Sequence, residues 1–222
     1  MQNQSPKYRL FEQFAQVAKA LSHPHKLELL ELLAQGERSV DALAKVAGLG
    51  VANTSRHLQL LRRTGLVTSR KEGLYVFYSL ADDDVIDLLR SLRRTGQRHI
   101  NDVNDVVVGY FNDRDSLEPV SRKQLLRRSK DGLVTVLDVR PSEEYAVGHI
   151  PGALNVPLNE IRQYLANLPK EQEIIAYCRG EYCVLAFEAV ATLRENGFNA
   201  RRLEEGYPEW RAAGLPVEEH KQ

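Results

Sequence analysis

Two different hydrophobic rhythms divide this chain, and the break between them limits its fold more than any other feature. Up to about residue 111 the apolar residues recur mostly at helical spacing. Beyond Pro119 short apolar runs alternate with helical stretches. Between them lies Asn112-Asp113-Arg114-Asp115-Ser116-Leu117-Glu118-Pro119, a polar segment that ends in proline and interrupts the helical pattern. A chain of 222 residues has room for one large domain or two small ones. The break selects two: residues 1–111, a linker at 112–118, and residues 119–222.

The first half reads as helices followed by a hairpin. Tyr8 to Leu21 carries Leu10, Phe11, Phe14, Val17, Ala18 and Leu21 at helical spacing. Ser22-His23-Pro24 punctuates it, and Pro24 suits the first turn of a second helix that Gly36 ends. Ser39 is a candidate N-cap for a short helix from Val40 to Ala47. A further helix, about Val51 to Thr64, sets Leu58, Leu60 and Leu61 on one side; Asn53, Thr54, Ser55, Arg56, His57 and Gln59 take its polar positions. Two short helices around a glycine-containing turn make the helix-turn-helix pattern. Leu66 to Arg70 and Leu74 to Leu80 then read as strands around Lys71-Glu72-Gly73, a small wing. A last helix is expected from Asp82 to Phe111, with Gly96 the point where it bends or breaks. Its apolar surface exceeds what a small domain can bury alone, which predicts a homodimer.

Charge points to a partner only locally. Lys plus Arg number 30 and Asp plus Glu number 30, so the total says nothing about nucleic acid. From Arg56 to Lys71, however, there are Arg56, Arg62, Arg63, Arg70 and Lys71 and no acid. A polar helix able to read base edges, followed by a basic hairpin, predicts binding to double-stranded DNA. No apolar run is long enough to span a membrane, and Met1 to Lys7 lacks the apolar core of a signal peptide. A cytoplasmic protein with no membrane partner is therefore expected.

In the second half, strands at Leu133–Val139, Glu173–Cys178 and Ala200–Leu203 alternate with helices at Val120–Ser129, Asn159–Asn167 and Val184–Asn196. That order predicts a parallel α/β sheet with helices on both faces and a site at the carboxyl ends of the strands. Cys178 stands at one such end. The stretch Ile174-Ile175-Ala176-Tyr177-Cys178-Arg179-Gly180-Glu181-Tyr182-Cys183-Val184 runs from apolar strand to thiol to short glycine-containing loop to helix. A thiol beside a helix N-terminus meets unpaired N–H groups and the positive end of the helix dipole, which favour the nucleophilic thiolate. Both cysteines of the chain lie in this loop. Without a secretion signal they read as reactive rather than structural.

Two resemblances follow from these residues. His23-Pro24-His25-Lys26-Leu27, Leu43-Ala44, Ser55 to Val67, and Lys71-Glu72-Gly73 leading to Tyr75 and Tyr78 resemble ArsR/SmtB-type winged-helix repressors over roughly residues 8–110. The resemblance implies a mainly-α winged helix-turn-helix that dimerises through its first and last helices and binds a near-palindromic operator. It implies that Asn53, Thr54, Ser55, Arg56, His57 and Gln59 face bases and that Arg62, Arg63, Arg70 and Lys71 contact phosphates. Many such repressors sense metals through cysteines on the first helix of the helix-turn-helix, or through Asp and His on the last helix. Here Glu37-Arg38-Ser39-Val40-Asp41 has no cysteine, and His99 with Asp102 and Asp87 is a thin set of ligands, so no metal site is expected.

The second half resembles the rhodanese (sulfurtransferase) family. The carriers are Leu137-Asp138-Val139-Arg140-Pro141, Glu143-Glu144-Tyr145, Gly148-His149-Ile150-Pro151-Gly152-Ala153 and Gly206-Tyr207-Pro208-Glu209-Trp210, with the Cys178 loop between them. The resemblance implies that Cys178 takes a sulfane sulfur from thiosulfate, a persulfide or a polysulfide and hands it to a thiol acceptor, without a cofactor. Asp138 and Arg140 would help hold the site; in structural terms they are a strand-end aspartate and a surface arginine. N–H groups from Arg179 through Gly180, Glu181 and Tyr182 to Cys183 can cradle the sulfur. Arg179 adds a positive charge, or is simply solvated, and Glu181 works against an anionic donor. Phosphatases on this fold commonly need an arginine six residues after the cysteine, where this chain has Val184. Cys183 is either a resolving thiol or a small buried residue.

The leading expectation joins the halves: a DNA-binding regulator whose rhodanese domain couples reactive sulfur to operator binding. The alternatives are an independent sulfurtransferase carried on a repressor, and a metal-responsive repressor.

Overall fold

The computed structural model describes residues 5–112 and 118–219. The chain forms two compact units, residues 1–89 and 90–222. Most of the expected linker, residues 113–117, lies outside the described residues.

In the first unit, α1 (Pro6–Leu21), α2 (Pro24–Ala34), β1 (Arg38–Ser39), α3 (Val40–Val46), α4 (Val51–Arg63), β2 (Val67–Glu72), β3 (Tyr75–Leu80) and the start of α5 (Asp84–His99) follow in order. The boundaries have local causes. Ser5 caps α1 through the Tyr8 N–H, and Ser39 caps α3 through the Ala42 N–H. Pro24 opens α2 at its first turn. Leu29, Leu30, Leu33, Leu43, Leu58, Leu61, Leu66 and Val85 form the core around which α2, α3 and α4 pack. β2 and β3 pair antiparallel from Val67 with Leu80 to Glu72 with Tyr75. The expected strand end at Arg70 is thus two residues early, because the turn needs only Gly73 and Leu74. Gly73 sits at φ 58°, a left-handed conformation that favours glycine. β1, too short to show a period, adds to the other edge of β3 through Arg38 with Tyr78 and Ser39 with Phe77.

The expected single helix from Asp82 to Phe111 is three pieces. α5 runs through Gly96 unbroken to His99, Ile100 is extended (φ −117°, ψ 110°), and α6 (Asn101–Val106) leads into a π-helical turn, Val107–Asn112. The two compact units meet within α5. Val85 and Leu89 of α5 belong to the first core and anchor its first turns there.

The second unit is a four-stranded parallel sheet in the order β5-β4-β6-β7, with β4 (Val134–Asp138), β5 (Leu154–Asn155), β6 (Glu173–Tyr177) and β7 (Ala200–Arg202). β4 follows α7 (Arg122–Lys130), whose start carries a reciprocal capping box between Ser121 and Gln124. α8 (Ser142–Val147) joins β4 to β5, and α9 (Ile161–Tyr164) precedes β6. α10 (Val184–Glu195) joins β6 to β7, and α11 (Tyr207–Ala212) comes last. Along β6 the side chains alternate between two cores. Ile174 and Ala176 join Leu137, Val190 and Leu193 on one face; Ile175 and Tyr177 join Leu125, Leu203 and Trp210 on the other. Burial on both faces is what turned the strand into an uninterrupted apolar run.

Among the described residues no helix is long and apolar enough to cross a membrane.

Candidate functional site

β6 delivers Cys178 to the carboxyl end of the sheet. The chain then turns through Arg179, Gly180, Glu181 and Tyr182, and Cys183 stands at the N-cap of α10 without a side-chain capping bond. The Cys183 N–H donates to the Gly180 carbonyl at 3.1 Å. That donor of the expected cradle therefore closes the loop. Cys178 and Cys183 are 1% and 7% exposed and are joined by a disulfide, with their Cα atoms 6.1 Å apart. The pair lies inside the core that β6 and α10 share.

The closing Gly-Tyr-Pro-Glu-Trp segment holds this loop from outside. The Tyr207 N–H donates to the Cys178 carbonyl at 3.1 Å. A Cβ on Gly206 would lie 2.7 Å from that carbonyl oxygen and would also strike the backbone of Arg179 and Gly180, so only glycine allows the approach. Glu209, buried, accepts the Gly206 N–H at 3.1 Å. Burial pushes the Glu209 carboxyl above the usual range.

Asp138 and Arg140 form the framework beneath. Both side chains are 0% exposed, so of the two readings of Arg140 the surface one does not hold. Arg140 Nε donates to Asp138 Oδ1 and Oδ2 at 3.0 and 3.1 Å, and its Nη2 donates to Oδ2 at 2.6 Å and to the Gly148 carbonyl at 2.7 Å. The Tyr207 ring lies 4.3 Å from the guanidinium carbon. Burial opposes the charge on Arg140, but the hydrogen bonds and charge of Asp138 outweigh it and leave the guanidinium pKa raised. The pair ties the end of β4 to the Gly148 turn.

Arg179 does not present a bare charge to a donor. Its Nε donates to both carboxylate oxygens of Glu144 at 3.1 and 3.0 Å, and Nη2 donates to Oε1 at 2.6 Å. Glu144 is almost fully buried on α8. The sequence marks Glu144 only as one of two adjacent acids in a helical turn; burial on the inner side of α8 distinguishes it from exposed Glu143. Glu181 is half-buried, and burial raises its pKa. Burial also pushes Tyr182 up to about 12.

In the first unit α4 exposes Asn53, Arg56, Gln59, Arg62 and Arg63, and the wing exposes Arg70 and Lys71. Gln59 Nε2 donates to Ser55 Oγ at 3.3 Å, one helical turn away on the same face. Thr54 is a correction. It is 0% exposed, and its hydroxyl donates to the Gly50 carbonyl at 3.1 Å. Thr54, Leu58 and Leu61 share the spacing of one helix face, and that face is in the core, so Thr54 cannot face a base. Leu60, read on the same side of the helix as Leu58 and Leu61, is exposed. Arg70 is held by Glu37 through three contacts of 2.6–2.9 Å and by Glu72. Its hydrogen bonds to these acids raise its pKa. The absence of acids between Arg56 and Lys71 in sequence is therefore not an absence in space.

His57 also departs from a simple base-facing position. It is half-buried, with its ring 4.7 Å from that of His23 and 6.2 Å from that of His25. Burial, then the charges of His23, His25, Lys26 and Arg56, lower its pKa. Among the described residues no group of three or more His, Cys, Asp or Glu side chains is placed to hold a metal ion.

Comparison with known proteins matches both units. The profile of the arsR family of bacterial regulatory proteins matches residues 23–69, and that of the rhodanese-like domain matches residues 121–213. HTH-type transcriptional regulator Rv0324 of Mycobacterium tuberculosis is 43% identical over 96% of this chain and 93% of its own length. A protein named sulfurtransferase from Allochromatium vinosum is 30% identical over 46% of this chain and 94% of its own. A solved homodimeric winged helix-turn-helix DNA-binding domain, fragment 1–100 of Mb0332 from Mycobacterium bovis, is 40% identical, with a TM-score of 0.41; the match covers 45% of this chain and 94% of that one. The chain thus belongs to the arsR family of bacterial regulatory proteins, as a helix-turn-helix transcriptional regulator that also carries a rhodanese-like domain.

Proposed function

We propose that this regulator binds operator DNA as a homodimer and that its rhodanese-like unit takes up sulfane sulfur on Cys178, so that reactive-sulfur status alters operator affinity. One observation carries this reading. The two cysteines of the chain stand together at the carboxyl end of β6, and the DNA-binding half has none. Thiol chemistry that reaches the operator therefore starts at Cys178 or Cys183.

On the DNA side, Asn53, Ser55, Arg56 and Gln59 read base edges, His57 lies at the margin of that face, and Arg62, Arg63 and Lys71 contact phosphates. Arg70, paired with Glu37 and Glu72, contributes less. Exposed Tyr8, Leu10, Phe11 and Phe14 on α1, with Leu88 and Leu92 on α5, supply an apolar surface for the dimer. Two-fold symmetry then calls for a near-palindromic operator.

On the sulfur side, the N-terminus of α10 favours the thiolate of the reduced loop. Cys178 attacks the sulfane sulfur of a persulfide or polysulfide and becomes a persulfide. The Asp138–Arg140 pair, Glu144 with Arg179, and Gly206 keep the loop in place. Coupling requires that the sulfurated and reduced forms differ in affinity for DNA.

The test is peptide mapping of the reduced full chain after treatment with glutathione persulfide, in parallel with binding to DNA from its own promoter. Sulfur on Cys178 together with altered DNA binding supports the reading. Robust sulfur transfer to a thiol with unchanged DNA binding would instead mean an independent sulfurtransferase.

A further inference from the structure

We propose that Cys183 is a resolving cysteine, which makes the rhodanese-like unit a sulfane-sulfur reductase that releases sulfide. The proposal rests on the reading that Cys178 takes up sulfane sulfur.

Three observations carry it. The two cysteines are within bonding reach, since the structure joins them with a Cα separation of 6.1 Å. Cys183 is at the N-terminus of a twelve-residue helix, with no side-chain capping bond, where a thiolate is favoured. Both cysteines are buried, at 1% and 7% exposure, in one core cluster. An external acceptor must enter that loop to reach a sulfur on Cys178, whereas the Cys183 thiol is already beside it. An intramolecular thiol held in reach has a large advantage in effective concentration over a free one.

The chemistry balances in three steps. The Cys178 thiolate attacks the outer sulfur of a donor persulfide, RSSH; the donor S–S bond breaks, RS⁻ leaves, and Cys178 carries –S–SH. The Cys183 thiolate then attacks Sγ of Cys178. The Cys178–Cys183 bond forms, the bond to the outer sulfur breaks, and that sulfur leaves as HS⁻. The two cysteine sulfurs lose two electrons between them, and the sulfane sulfur gains two. Finally an external thiol reductant, R′SH, returns the disulfide to two thiols. The sum is RSSH plus two R′SH giving RSH, H₂S and R′SSR′. In this cycle the disulfide seen here is the product of sulfide release.

The full chain is reduced, freed of reductant and mixed with one equivalent of glutathione persulfide. Sulfide is trapped with an alkylating bimane, and intact mass is recorded. The wild type is expected to release about one sulfide per chain and to lose both free thiols to a disulfide. Cys183→Ser and Cys183→Ala are expected to release none and to keep the added sulfur on Cys178. A wild-type chain that keeps the sulfur, as a persulfide or as a trisulfide, overturns the resolving role and leaves uptake by Cys178 standing. No sulfur gained by any of the three chains, and no sulfide, overturns uptake and resolution together. The wild-type mass and thiol count decide the matter even where the variants do not fold.

Discussion

Single residues already separate framework from chemistry. Asp138 and Arg140 are fully buried and joined by three side-chain hydrogen bonds, so removing one takes away the buried charge that balances the other. Asp138→Ala is expected to cost about 3–5 kcal/mol, read from the urea midpoint of the second unit; a loss below about 1 kcal/mol would contradict the role given to the pair. His57 gives the opposite kind of case. Its folded-state pKa is lowered, first by burial and then by His23, His25, Lys26 and Arg56. The unfolded chain therefore binds the proton more readily. The stability His57 contributes is present above its ordinary value of 6.5 and is lost as pH falls through its folded-state value. The urea midpoint of the first unit is expected to drop as the pH falls below 6.5, and His57→Gln should flatten part of that drop. An equal pH slope in the variant would show that the cluster is not its source.

Among the elements, α4 and the wing differ in how they offer their charge. Arg63 and Lys71 are exposed, whereas Arg70 is tied to Glu37 and Glu72. Arg63→Ala and Lys71→Ala are each expected to lower the salt slope of operator binding by about one. Arg70→Ala should lower it by less, and an equal effect of all three would show that Glu37 does not hold Arg70 in the complex. This contrast marks where reading by sequence stops. The Cys178 loop was legible because strand, thiol, glycine and helix N-terminus are adjacent in the chain. α4 and the wing were legible from period and turn residues. Of the two partners of Arg70, Glu37 stands thirty-three positions earlier, so no local pattern announces it. The same holds for Arg179 and Glu144, and for Gly206 against Cys178, which the fold alone brings together. Thr54 has the residue type of a base-facing position, but its spacing from Leu58 and Leu61 is that of the core face. The end of α5 was missed because Gly96, the visible weak point, stays helical while Ile100 turns extended.

At the scale of the whole molecule the account requires a dimer and a signal. Phe11 and Phe14 are large, apolar and exposed on α1. Phe14→Glu is expected to shift the chain toward monomer in sedimentation and to weaken operator binding with it, because one protomer meets only one half-site. A dimer unaffected by that charge would place the interface elsewhere. The signal is the central claim, and it makes Cys178 necessary. The most direct measurement is a fluorescence-anisotropy titration of reduced wild type and Cys178→Ser onto promoter DNA at fixed salt, with and without glutathione persulfide. The account predicts that the donor changes the wild-type Kd by about tenfold or more, equivalent to a coupling of about 1.4 kcal/mol, that dithiothreitol reverses the change, and that Cys178→Ser does not respond. A wild-type Kd that is the same with and without the donor, or a Cys178→Ser chain that responds as the wild type does, would contradict it.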